Sequence, residues 1–231
     1  MDKSVDDVDN LPKSSGILGI FAKEPVSGQV KTRLSPPLSP DQAAELYQIS
    51  LRETVDKVSG GDFDLTICYA GDEDYFRRTF PGKSLYEQSG GDLGVRMSNA
   101  LQHFFRQGYQ QAVLIGSDSP DLPLDLVKQA FSALERQQLV MAPAHDGGYV
   151  LIGESCHSSR LFENISWSSS EVLSQTQQIA EATGIKYQLL PAWDDLDDLD
   201  ALRRFLQRSP ESRAAEYLCS LSVPECLPAS V

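Results

Sequence analysis

The sequence predicts a single α/β domain built on a mixed, mainly parallel sheet flanked by helices. Three observations carry that prediction. Apolar runs of strand length alternate with stretches of helical periodicity from residue 16 to residue 134. Glycine pairs and Asp/Ser/Pro clusters stand between them as turn signals. Two later apolar runs lie too close together for a crossover helix, so at least one strand there breaks the parallel order.

Residues 16–21 form the first apolar strand. Ser39-Pro40-Asp41-Gln42 opens a helix, with Ser39 as cap, Pro40 at the first position and Gln42 completing a capping box. Ala44, Tyr47, Leu51, Val55 and Val58 follow at helical spacing, and Gly60-Gly61 ends the run. A strand over 63–69, a short helix over 72–80 and a short strand over 84–87 come next. Leu93, Met97, Ala100, Leu101 and Phe104 give the apolar stripe of another helix. Residues 112–115 read as a buried strand and 124–134 as the helix after it. The apolar runs 139–142 and 149–152 are joined by His145-Asp146-Gly147-Gly148. Ser168-Ser169-Ser170-Glu171 predicts a second capping box, opening a helix that Gly184 closes. Residues 185–190 are the last strand, and Leu199, Leu202, Phe205 and Leu206 mark a terminal helix. One further short helix is expected around 214–218. The division is an acidic, loose tail over 1–15, one domain over 16–208, and a C-terminal extension over 209–231.

Composition narrows the partners. A net charge of −13 argues against nucleic acid, which requires a basic footprint, and against anionic membrane surfaces. No stretch approaches the ~20 apolar residues of a membrane helix. The N-terminal decapeptide lacks the apolar core of a signal peptide, so a cytoplasmic protein is expected. Cys68, Cys156, Cys219 and Cys226 form no CxxC pair and read as free thiols. His103, His145 and His157 have no zinc-ligand spacing.

Five segments carry chemistry. The strand over 112–115 runs into Gly116-Ser117-Asp118-Ser119-Pro120-Asp121-Leu122-Pro123. A carboxylate there stands where open α/β sheets bind ligands, and it can hold Mg²⁺ or Mn²⁺ against a diphosphate; the plain alternative is a turn that starts a helix. The loop after the first strand carries Lys23, Lys31 and Arg33 around Gly28. Cations are scarce in this chain, yet they cluster where phosphates would lie; the alternative is a basic loop that solvates an acidic protein. The loop matches neither the GxGxxG nor the GxxxxGK[ST] pattern, so a nucleotide would be held another way. Gly91, Asp92 and Arg96 are a glycine-rich turn that either caps a helix or reaches a nucleotide. Asp146-Gly147-Gly148-Tyr149 is a hairpin turn or a carboxylate and ring for a sugar. Trp193 to Asp200 holds five carboxylates in eight residues. Asp198 and Asp200 suit a helix start, whereas Asp195 and Asp197, on one side of an extended segment, would join Asp118 around a divalent cation.

These segments in this order resemble the DUF2064 family of GT-A-fold, nucleotide-diphospho-sugar-transferase-like proteins, over residues 16–207. The motifs are Ala-Lys-x-Pro-x-x-Gly-x-Val-Lys-Thr-Arg-Leu (22–34), Gly-Asp-Leu-Gly-x-Arg-Met (91–97), Gly-Ser-Asp-Ser-Pro-Asp-Leu-Pro (116–123), Asp-Gly-Gly-Tyr (146–149), Trp-Ser (167–168) and Asp-Leu-Asp (195–197). Some members are named as glycosyltransferases associated with arsenosugar biosynthesis. The family is similar, more distantly, to 2-phospho-lactate and molybdenum-cofactor guanylyltransferases. The resemblance implies that Lys23, Lys31 and Arg33 face phosphates, that Asp92 and Arg96 lie near the nucleotide, and that Asp118 is a metal ligand. It implies that Asp146 to Tyr149, with Trp167, form the acceptor side. The family's acidic segment reads Asp-Val-Asp-Thr; here Leu196 and Asp198 replace Val and Thr, which leaves Asp195 and Asp197 both open as second ligand.

The leading expectation is therefore a metal-dependent enzyme that moves a sugar from a nucleotide-diphosphate donor to a small acceptor. Lys31, Arg33, Asp118 and Asp146 would be its working residues. The alternatives are a nucleotidyltransferase that joins NTP to a phosphorylated acceptor, and a non-catalytic nucleotide-binding module.

Overall fold

A computed structural model describes residues 14–221. The acidic N-terminal stretch up to residue 13 and Cys226 lie outside the described residues. Seven strands form one sheet in the order β3-β2-β1-β4-β6-β5-β7. They are β1 (Gly16–Lys23), β2 (Asp64–Ala70), β3 (Ser84–Glu87), β4 (Gln111–Gly116), β5 (Leu139–Pro143), β6 (Tyr149–Glu154) and β7 (Tyr187–Leu189). β1 pairs in parallel with both β2 and β4, and β2 with β3. β6 is antiparallel to β4 and to β5, while β7 runs parallel to β5. The one reversed strand is thus β6, where the short 144–148 connection leaves no room for a crossover.

Alternation along the strands loads both faces of the sheet. Leu18, Ile20 and Ala22 of β1 face one core with Leu51, Val55 and Val58 of α1 (Pro40–Val58). Leu126, Val127 and Ala130 of α4 (Leu124–Leu134) join the same core. Ile17 faces the other core with Met97, Leu101 and Phe104 of α3 (Leu93–Arg106) and Ala180 of α5 (Val172–Thr183). Gly19 is what lets α3 lie close: a Cβ there would sit 2.7 Å from Leu114 and 3.1 Å from Phe104. The short helix α2 (Glu73–Thr79) buries Phe76 beside β2.

A third cluster lies outside this sandwich. Leu34, Leu38 and Leu46 pack with Leu202 and Phe205 of α6 (Leu199–Arg208) and with Ala214, Ala215 and Leu218 of α7 (Arg213–Ser220). The extension after residue 209 therefore buries apolar side chains against α1. Its helix matches the expectation for residues 214–218.

The two capping boxes fare differently. Ser39 and Gln42 make both reciprocal hydrogen bonds and start α1 as expected. At 168–171 the expectation fails. Helix α5 begins at Val172 with Glu171 as an uncapped N-cap, and Ser168 sits at φ 64°. The physical reason is tertiary: the amide of Leu173 donates to the carbonyl of Gly147, so the β5–β6 turn supplies a capping acceptor. Ser169 Oγ serves locally instead, accepting from the Glu171 amide.

Candidate functional site

The parallel strands β1, β2 and β4 point their carboxyl ends to one edge. Between β1 and β4 the order of connections reverses, since β1 leads outward to β2 and β4 leads to the other half of the sheet. Open α/β sheets bind ligands at such a switch point. A cleft of about 810 Å³ opens there, within the range of small-molecule sites. Lys23, Lys31, Arg33, Asp92, Arg96, Asp118, Asp146, Gly148, Tyr149, Trp167, Asp195 and Asp197 line it, so residues spread over 175 positions of sequence converge. Gly28, Gly91 and Gly147 stand outside the lining.

The centre of the cleft is an ion-pair bridge. Lys31, in a left-handed conformation at φ 48°, enters the short helical turn Thr32–Leu34. Its Nζ lies 2.6 Å from Asp118 Oδ1 and 3.0 Å from Asp197 Oδ1. Its side chain is only 2% exposed, against 41% and 40% for the two carboxylates. Burial alone would lower the Lys31 pKa; Asp118 and then Asp197 outweigh it and hold the ammonium above its ordinary range. The same contacts hold Asp197 below the usual carboxylate range against its own burial. Arg33, exposed, lies 3.8 Å from the other Asp197 oxygen.

Asp195 has no such compensation. Burial, then Asp197 and Asp146, push its carboxyl up to about 6, and Lys31 offsets only part of this. Asp118, Asp146, Asp195 and Asp197 are hard oxygen donors of the kind that hold Mg²⁺ or Mn²⁺. Among the described residues no three such side chains stand in a metal-ligating group. Lys31 takes the position between Asp118 and Asp197. Their oxygen donors suit a divalent ion in type, while in this structure the Lys31 ammonium is the cation that joins Asp118 and Asp197.

Longer-range contacts build this geometry. After β7 the chain keeps following β5: the amides of Leu190 and Trp193 donate to Met141 and Pro143. That course carries residues 194–197 to the carboxyl end of β4, where the Leu196 amide donates to the Asp118 carbonyl and Ser119 Oγ to the Asp194 carbonyl. A second acid cluster locks the segment from behind. Asp194 accepts from Arg204 (2.9 Å) and Arg208 (2.7 Å), and Asp121 accepts from Arg208 (2.6 Å), Ser209 (3.0 Å) and Trp193 Nε1 (3.2 Å). The Arg208 guanidinium also covers the Trp193 ring at 4.7 Å. Burial would raise Asp194, but the two arginines overcome it and its pKa is lowered. Tyr47 of α1 joins the loops after β1 and β4, accepting from the Lys23 amide and sharing a hydrogen bond with Ser117 Oγ (both 2.8 Å).

The remaining expected residues divide between local and cleft roles. Asp92 caps α3, its Oδ1 accepting from the Val95 amide at 2.9 Å. Arg96 donates back to the Gly91 carbonyl and closes that turn, while its side chain still lines the cleft. Lys23 is exposed at the end of β1. Trp167 lies against Gly94, where a Cβ would overlap its ring. Gly147, at φ 90°, lies against the Ser170 carbonyl, which leaves no room for any side chain. Tyr149 turns its hydroxyl inward, and burial raises its pKa. Sequence reasoning missed Tyr47, Gln88, Arg204 and Arg208, and it read Asp121 and Asp194 only as parts of motifs. Gln88 lines the cleft with its amide nitrogen bonded to the carbonyls of Ala22 and Cys68. None of these has a local signature, since their partners are 10 to 88 residues away.

Comparison with other proteins bears on the whole chain. A family model described as "Uncharacterized protein conserved in bacteria (DUF2064)" matches residues 54–169. A crystal structure from Desulfovibrio desulfuricans G20, provisionally described as a nucleotide-diphospho-sugar transferase, is 32% identical over 90% of this chain and 95% of that one, with a TM-score of 0.86. The chain belongs to the DUF2064 family. No curated protein matches it. Its fold extends to distant structures. CMP:2-keto-3-deoxy-manno-octonic acid synthetase, in complex with CTP, is 10% identical over 85% of this chain and 98% of that one, with a TM-score of 0.53. The 4-diphosphocytidyl-2C-methyl-D-erythritol synthase of Anaerococcus prevotii DSM 20548 is 12% identical over 80% and 94%, with a TM-score of 0.51. This DUF2064 protein therefore has the nucleotide-diphospho-sugar transferase fold. Among its described residues no helix is long and apolar enough to cross a membrane.

Proposed function

We propose that this DUF2064 protein is a metal-dependent glycosyltransferase that moves a sugar from a nucleoside-diphosphate donor to a small acceptor. The observation that carries this reading is the switch-point cleft, lined by Lys23, Lys31, Arg33 and Arg96 together with Asp118, Asp195 and Asp197. The description of its relative at 32% identity supports the donor class. In the reaction the acceptor hydroxyl oxygen bonds to the anomeric carbon. The bond from that carbon to the diphosphate oxygen breaks, and the nucleoside diphosphate leaves with the electron pair. Lys31 and Arg33 bind the diphosphate and offset the charge it gains, an effect that grows in a partly desolvated site. Asp146, which lines the same cleft, takes the hydroxyl proton. A divalent ion held by Asp118 with Asp195 or Asp197 would supply further charge neutralisation at the leaving group.

The second reading is nucleotidyl transfer, in which an acceptor phosphate attacks the α-phosphorus of an NTP and pyrophosphate leaves. Four cations along the cleft, enough for a triphosphate, favour it. Turnover with a panel of NTPs and NDP-sugars, with Mg²⁺ or Mn²⁺ and a mixture of small acceptors, separates the two. Nucleoside diphosphate as product, lost on chelation, is the expected result. Pyrophosphate as product overturns sugar transfer in favour of the second reading. Ligand binding without metal-dependent turnover would leave a non-catalytic module.

A further inference from the structure

Lys31 occupies the two carboxylates that the proposed reaction would use for a divalent ion. Its Nζ lies 2.6 Å from Asp118 Oδ1 and 3.0 Å from Asp197 Oδ1, and its side chain is 2% exposed. A magnesium ion ligates such oxygens at about 2.1 Å. An ion sharing those oxygens would stand against an ammonium shielded from water, where like charges repel strongly. The two cations therefore compete for the same oxygens.

The fold fixes all three backbones and leaves one side chain to move. Lys31 is held in the left-handed region at φ 48°, and its carbonyl accepts from the Leu34 amide at 3.0 Å. Leu34 is buried in the same apolar cluster as Leu196, which stands next to Asp197. The Leu196 amide in turn donates to the Asp118 carbonyl at 2.9 Å. The turn that carries Lys31 and the two segments that carry its partners are thus pinned to one another. What can swing is the flexible lysine stem. A buried ammonium does not leave its carboxylates without another counter-ion. Diphosphate oxygens can accept from it in their place, and Lys23, Arg33 and Arg96, which line the cleft, draw a diphosphate there.

We infer, on the basis of the metal-dependent transferase reading, that Lys31 is a tethered cation that keeps Asp118 and Asp197 from a free divalent ion and releases them when diphosphate oxygens take its ammonium. Ion and diphosphate then bind as a coupled pair, each strengthening the other by the same factor.

Mn²⁺ binding to the nucleotide-free protein, read by the paramagnetic resonance of the free ion, is the test. Lys31→Met keeps an unbranched stem and removes the charge. It should bind Mn²⁺ about tenfold tighter than the wild type. Lys31→Arg keeps the charge and should bind Mn²⁺ as weakly as the wild type. Adding Asp118→Asn to Lys31→Met should abolish the gain. Lys31→Gln, neutral and polar, takes the place of the methionine variant if circular dichroism shows that variant unfolded. A folded neutral variant with wild-type affinity for Mn²⁺, or a gain that survives Asp118→Asn, overturns the inference. A parallel titration of the wild type uses ADP, CDP, GDP, UDP and dTDP, each with and without Mg²⁺. If no nucleotide binds more tightly with Mg²⁺, the metal-dependent reading itself falls, whatever the Lys31 variants do. Metal-promoted binding of one nucleotide, beside an unchanged Mn²⁺ affinity in the neutral variant, overturns the role of Lys31 alone.

Discussion

Two acid clusters lie within a few residues of each other in sequence and are treated oppositely by the fold. Asp121 and Asp194 are buried and matched by Arg204, Arg208, Ser209 and Trp193. Asp118 and Asp197, next to them in the chain, share one buried lysine, and Asp195 lines the same cleft with its charge only partly offset. The first cluster holds a segment in place, whereas the second keeps charge unspent. A folded chain tolerates surplus negative charge where a cation or cationic transition state is to arrive. The matched cluster is the scaffold against which the unmatched one is aimed.

If that division is right, removing a scaffold partner should cost stability and removing a cleft carboxylate should cost binding. The largest effect is expected for Arg208→Met, which, among the described residues, strips Asp121 of its one arginine and Asp194 of one of two. Breaking a buried pair in this way should destabilise the fold by about 3 kcal/mol, measured as a lower urea midpoint. A wild-type midpoint would show the scaffold role to be wrong. Next, Gly147→Ala forces a side chain onto φ 90° and into the Ser170 carbonyl. A cost of about 2 kcal/mol is expected, with the 167–170 wall displaced and nucleotide binding spared.

Acid should act through the scaffold as well. The Asp194 pKa is depressed below its ordinary 3.8 by Arg204 and Arg208 against the opposing effect of burial. A depressed carboxylate contributes stability that is fully present above the unfolded value and is lost as pH falls through the folded value. The urea midpoint should therefore drop below about pH 4 more steeply in the wild type than in Asp194→Asn. Parallel curves would remove Asp194 from the account. The smallest effect belongs to Arg33, which is 65% exposed and makes only a 3.8 Å contact. Arg33→Ala should weaken nucleotide binding about fivefold at low salt and less at high salt, because screening already removes most of a surface charge's contribution.

What the sequence disclosed follows the same division. The cleft residues were legible because they break local expectation: clustered cations in an acidic chain, and Asp195 and Asp197 packed more densely than a helix start requires. The break in parallel order around β6 was legible too, since the five residues between β5 and β6 cannot hold a crossover helix. The scaffold was not legible. Arg208 bonds to Asp121 across 87 positions, and nothing in an amphipathic helix marks one arginine as buried against a distant carboxylate. The false capping box at 168–171 has the same origin. Its residues satisfy a local rule, but Gly147 supplies the acceptor from elsewhere in the fold.

The most direct test of the account is a calorimetric titration of the wild type and Asp118→Ala with NDP-sugars and NTPs, each with Mg²⁺ and with chelator. The account predicts binding of one nucleotide to the wild type that chelation weakens. It predicts loss of that metal-dependent binding in Asp118→Ala, with folding retained by circular dichroism. A folded Asp118→Ala protein that binds the nucleotide with unchanged metal dependence would contradict it.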